Sequence, residues 1–188
     1  MKLFINFAAF QLGWFSCVLG AANGMPWIGP PVVLGVVVLH LVQVARPRRE
    51  LILLLSAMAI GVVVDSLLLA NGWLSYANGY WLTGFAPYWI VAMWALFATT
   101  LNLSMRWMRS RFLLALAMGA VGGPLSYFAG AQLGAMTLLR PASALAALAV
   151  AWGLVMPLLT LLAARFDGVQ SRRPPGYISA DWRVTEHA

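Results

Sequence analysis

Asp65 stands alone in an apolar run at residues 51–70, and it is the residue here most able to do chemistry. An acid at the centre of a membrane-spanning helix costs about 2.5–3.5 kcal/mol. About a dozen Leu, Ile and Val residues in the same run offset that at about 0.3–0.6 kcal/mol each. Roughly five residues separate Asp65 from the nearer end of the run, or about 7–8 Å at a rise of 1.5 Å per residue, so its carboxyl is within reach of water. Two roles fit. It is either a buried acceptor for Ser126 or Tyr127, expected at similar depth on a later run, or a member of a substrate or proton site. Arg140 is the one cation expected at that end of the molecule, and pairing it with Asp65 would explain both exceptions together.

Glu50 opens the same run at its other end, where a carboxylate complements a helix dipole and neighbours Arg46, Arg48 and Arg49. Fifteen helical positions put it roughly 22 Å from Asp65, so the two acids are not a catalytic dyad. His40 and Gln43 lie one turn apart at Glu50's depth, and Asn6 and Asn102 are expected at the same level on other runs. Together with Glu50 they form a second candidate polar cluster. It could hold a lipid headgroup, relay a proton, or simply bond helix to helix.

The chemistry that the sequence does not support is as informative. It has two histidines, His40 and His187, and one cysteine, Cys17, which falls short of the ligand set of a zinc site, so no metal and no cofactor is expected. Cys17 reads as a small core residue. No nucleophile motif, phosphate-binding loop or dinucleotide fingerprint stands out. Gly119, Gly123, Gly130 and Gly134 form two small-xxx-small pairs that let a neighbouring helix approach closely. Within them, Gly122-Gly123-Pro124 predicts a kink, because Pro124 has no amide proton and its ring clashes with the carbonyl of Ala120. A broken helix would free carbonyls for a ligand, which makes Gly123 and Pro124 candidate binding positions beside Asp65, Ser126, Tyr127 and Arg140.

The elements that must position these residues are helices in a bilayer. The chain of 188 residues is 62% hydrophobic and 9% charged, with mean hydropathy +0.84, too few charges to clothe a water-soluble surface. Six runs are long enough to cross about 30 Å of hydrocarbon, at residues 3–22, 27–45, 51–70, 87–105, 112–130 and 142–164. Asn23-Gly24 and Asn71-Gly72 suit helix ends, and Pro30, Pro31 and Pro87 suit first turns. If the six alternate, Lys2, Arg46, Arg48, Arg49, Arg106, Arg109, Arg111, Arg165, Arg172, Arg173 and Arg183 share one side, and Arg140 lies opposite. The positive-inside rule then places both termini in the cytoplasm. A formal charge of +7 distributed in this way is a topology signal, so nucleic acid is not an expected partner.

The fold class expected is therefore an all-α, polytopic transmembrane bundle of about six helices, N-in and C-in. The domain spans residues 1–164 and is followed at 165–188 by a polar, disordered cytoplasmic tail. The link at 71–86 carries Trp73, Tyr76, Tyr80, Trp81 and Phe85 without a charge, which suits an interfacial belt or a lid over a lipid-facing opening. The first run, with Asn6 and Gln11 inside it, is read as a retained helix rather than a cleaved signal peptide. Short echoes, such as Ala-Asn-Gly at Ala22, Ala70 and Ala77, do not establish an internal duplication.

Glu50 and Asp65, Pro87-Tyr88-Trp89 through Trp94 and Phe97, Ser104 to Trp107, and Gly123-Pro124 with Tyr127, Gly130 and Gly134 together resemble a family of small bacterial inner-membrane proteins, domain-of-unknown-function family 2878. The resemblance covers the chain to about Ala164. It implies a multi-pass protein of a bacterial inner membrane and no assigned activity. The reading that follows is a module that binds or moves a membrane lipid or small amphiphile. The alternatives are an intramembrane lipid-modifying enzyme using Asp65 or Glu50, and a structural subunit partnered by other membrane proteins.

Overall fold

The structure is a computed structural model, and it describes residues 2–169. Six α-helices follow one another: α1 Lys2–Ala22, α2 Gly29–Gln43, α3 Pro47–Ala70, α4 Tyr88–Leu101, α5 Phe112–Gln132 and α6 Pro141–Arg165. Two three-residue strands, β1 Leu74–Tyr76 and β2 Met136–Leu138, interrupt the α3–α4 and α5–α6 links, and a 3-10 turn at Arg106–Met108 joins α4 to α5. The helices run alternately up and down. The start of α3 and the ends of α2, α4 and α6 meet at one end, while β1 and β2 pair at the other.

Each helix end has a local cause. Proline stands in the first turn of α2, α3 and α6, where the missing amide costs nothing. At the far end, α1, α3 and α5 close in the same way, each with a glycine at positive φ: Gly24 (73°), Gly72 (62°) and Gly134 (89°). Each glycine amide bonds three residues back, and the next amide bonds five back, to Gly20, Leu68 and Gly130 in turn, the Schellman arrangement. Two of the three Ala-Asn-Gly echoes fall on these caps. Gly134 is thus a cap rather than part of the small-residue stripe.

Helix lengths depart from the expected runs at two places. The second run, expected at 27–45, is helical for 15 residues, and the fourth, expected at 87–105, for 14. Those lengths correspond to roughly 21–22 Å, short of a full hydrocarbon core. Pro30 and Pro31 fix the start of α2, and Pro47 disfavours helix at Arg46. In α4, the hydroxyls of Thr99 and Thr100 bond back to Leu96 O and Phe97 O, loosening the last turn before Asn102. The remaining helices, α1, α3, α5 and α6, are long and apolar enough to span a membrane.

α4 is the hub of the bundle, packed against α1, α2 and α3, while α5 and α6 form a tight hairpin that joins the rest through α3 and α4. Glycines set the closest crossings. A Cβ on Gly119 or Gly123 would overlap Trp152 of α6, and one on Gly29 would overlap Cys17, which is fully buried between α1 and α2. α5 passes through Pro124 as one continuous helix, so the discontinuous segment anticipated at Gly122-Gly123-Pro124 is not formed. The outward faces carry Phe4, Leu12, Val42, Leu113, Leu125, Val150 and Leu154, an apolar surface suited to hydrocarbon.

The expected belt at 71–86 has two halves. Trp81, Leu82 and Phe85 are exposed, whereas Leu74 and Tyr76 turn inward as β1 pairs antiparallel with β2 in the register Leu74↔Leu138, Ser75↔Thr137, Tyr76↔Met136. At the opposite end lie the first residues of the expected tail, 166–169. They fold back across the bundle, with Gly168 N donating to Glu50 (2.7 Å) and Gly168 O accepting from Arg46 N (2.9 Å). The rest of the expected tail, with Arg172, Arg173, Arg183 and His187, lies outside the described residues.

Candidate functional site: two buried acids and a groove between helices

Asp65 is fully buried, and three donors from three other elements converge on it. The hydroxyls of Tyr76 (2.8 Å) and Tyr127 (2.6 Å) donate to Oδ1, and the indole N–H of Trp94 donates to Oδ2 at 2.8 Å. Burial, then the neighbouring Asp65 and Tyr127, push the Tyr76 hydroxyl on β1 well above the usual phenol range, so it remains a donor at neutral pH. Trp94 reaches Asp65 because Gly61, one turn earlier on α3, has no side chain. A Cβ there would overlap the indole.

Of the partners expected for Asp65, Tyr127 is present and the other two are not. Ser126 makes no bond to Asp65 and accepts from Trp14 Nε1 at 3.3 Å. Arg140 is exposed at the start of α6 and makes no ion pair among the described residues, so the proposed Asp65–Arg140 pair is corrected. The carboxyl is satisfied by neutral donors and needs no cation. Tyr76 and Trp94 are not among the partners expected for Asp65 from the sequence; Gly61, four residues before Asp65, signals a close approach on that face without naming the side chain that makes it.

The second cluster forms at the basic end, and it is larger than expected. Glu50, also fully buried, contacts His40 Nε2 (2.9 Å) through Oε2 and accepts from Asn102 Nδ2 (2.6 Å) and Gly168 N through Oε1. Asn102 Oδ1 in turn accepts from Arg109 Nη2. Asn6 belongs to a neighbouring set, donating to Thr99 O and accepting from Ser104 Oγ. Gln43 is exposed and, with His40 and Asn6, lines a cavity of about 180 Å³. Arg109, Asp167 and Gly168 were not anticipated, because their approach depends on the chain folding back after α6.

Between these clusters lies an opening. α1 and α5 do not pack along their length, and the gap between them is a groove of about 310 Å³ whose walls include Phe10, Phe97, Met118, Gly122, Gly123 and Trp152. A smaller cavity of about 60 Å³, sharing Trp14, Ser126 and Trp152 with the groove, carries it on to Trp94 and Tyr127, the donors to Asp65. The Trp14–Ser126 bond crosses the gap. Aromatic rings line the route: Trp94 stacks on Trp152 at 4.6 Å, Phe97 meets Trp152 edge-on at 5.3 Å, and Phe10 meets Phe97 at 6.3 Å. The buried Trp152 N–H lies beside Tyr127 without reaching hydrogen-bond geometry. Among the described residues no group of His, Cys, Asp and Glu could hold a metal ion.

Apolar helices long enough to cross a bilayer, with their two buried acids bonded inside the bundle, define a multi-pass membrane protein. The chain belongs to the family described as "Protein of unknown function (DUF2878)", which matches residues 3–158. Comparisons with curated proteins and with solved structures gave no match.

Proposed function

We propose that this protein binds one membrane amphiphile, with an acyl chain lying in the groove between α1 and α5. The observation that carries the reading is that this groove is walled by aromatic and methionine side chains and floored by glycine, and opens between two membrane helices. Flexible Met105, Met108, Met118 and Met156 suit a chain of variable shape. Asp65 serves the site indirectly, because its bonds fix Trp94 and Tyr127 at the groove's inner end. Three donors already occupy its oxygens, which favours this positioning role over acid–base catalysis. The basic end faces the cytoplasm of a bacterial inner membrane, in keeping with the positive-inside rule.

Gly122 provides the test. It lines the groove, and a Cβ there meets nothing within 4 Å, so a large side chain would fill the groove without disturbing the α5–α6 crossing. Wild type purified in mild detergent is expected to retain about one lipid per chain by mass spectrometry. Gly122→Trp is expected to lose most of it at an unchanged unfolding temperature. Equal lipid in the two proteins would sink the reading.

A further inference from the structure

Met105 and Met108 line the groove at the basic end, and the turn that carries them also carries Arg106 and Arg109. Both guanidinium groups converge on one carboxylate oxygen, Asp167 Oδ2, at 2.6 and 3.0 Å. Trp107, between them in sequence, is half exposed, as expected of a side chain at headgroup depth. Two arginines gripping one oxyanion, on the turn that also lines the groove, is the geometry by which proteins hold phosphate and carboxylate groups.

We propose that Arg106 and Arg109 are the headgroup site for the amphiphile in the groove, that they take an oxyanion (phosphate or carboxylate), and that Asp167 holds its place from within the chain. This rests on the groove reading above and adds the charge of the ligand. Asp167 is suited to the part. It stands on the short segment after α6, only partly buried, and this segment is anchored by Gly168 to Glu50 and Arg46, so an entering headgroup competes with a tethered carboxylate rather than with water. Arg109 is further fixed by Asn102 and Ala163 O, which leaves Arg106, the more exposed of the two, as the adjustable arm. Arginine near an anionic leaflet is attracted to it before any specific contact, which supplies the direction of approach.

The test uses the full chain in mixed micelles with phosphatidylglycerol or with diacylglycerol of identical chains, which has no oxyanion, and inorganic phosphate as a third probe. Retained lipid is read by native mass spectrometry. Wild type is expected to prefer phosphatidylglycerol, and Asp167→Asn to raise that preference at least about fivefold, since the internal competitor loses its charge. Arg106→Gln is expected to remove the preference while lipid is still retained through its chain. If lipid binds but none of the three proteins distinguishes the headgroups, the headgroup site is overturned and the groove reading stands. If no lipid of either kind is retained, both fail. If phosphate alone binds Asp167→Asn, the arginines hold an oxyanion from solution, and the lipid assignment is overturned.

Discussion

At the scale of single residues, the fold depends on giving each of its buried acids a full set of donors. Asp65 takes three, from β1, α4 and α5, so one carboxyl ties three elements to α3. Asp65→Asn keeps the shape but turns one acceptor into a donor facing a donor, and is expected to cost about 1–3 kcal/mol. Thermal unfolding in detergent, followed by tryptophan fluorescence, measures that cost, and a variant as stable as wild type would remove Asp65 from the centre of the fold. Gly61→Ala should cost a similar amount, about 1–3 kcal/mol, by overpacking Trp94. The sequence made Asp65 conspicuous because an acid is expensive in hydrocarbon. It could not name Trp94 or Tyr76, since any of nine tryptophans and five tyrosines can donate, and only helix crossings choose among them. Arg140 was the attractive partner on charge alone. Its side chain stays exposed because neutral donors had already filled the acceptor sites.

At the scale of elements, ends set by local chemistry were legible and pairings between distant segments were not. Asn23-Gly24 and Asn71-Gly72 announced their caps because a left-handed residue is a local requirement. The β1–β2 pairing joins residues about sixty positions apart through strands too short to show alternation, and nothing in either strand alone points to the other. Their register makes a sharp expectation: Ser75→Cys combined with Thr137→Cys should form an intramolecular disulfide under mild oxidation, since the two are direct partners across the ladder. Buried Cys17 should not compete. A double variant that stays fully alkylatable after oxidation would contradict the register. Such a bond would also pin β1 above Asp65, so it should raise the unfolding temperature if Tyr76 holds the outer end closed.

At the scale of the whole molecule, alternation of six helices follows from where their ends meet, even though α2 and α4 are too short to cross 30 Å unaided. The shortfall lies where the chain leaves helical form for the network around Asn102 at the basic end and the cap around Asn78 and Trp89 at the other, so polar contacts inside the bundle replace the missing turns. This arrangement puts Arg48, Arg49 and Arg111 at one end and Thr137 and Trp81 at the other. In cells, single cysteines at Trp81 or Thr137 should react with a membrane-impermeant thiol reagent added from outside. With the basic end cytoplasmic, as proposed, cysteines at Arg48 or Arg111 should react only after the membrane is opened. If Arg48→Cys and Thr137→Cys were labelled from the same side, the alternation would fail, and with it the placing of Arg106 and Arg109 at the cytoplasmic leaflet proposed above. Opposite labelling with the basic end outermost would keep the bundle and reverse that leaflet, because the groove's mouth and its arginines move together with the end that carries them.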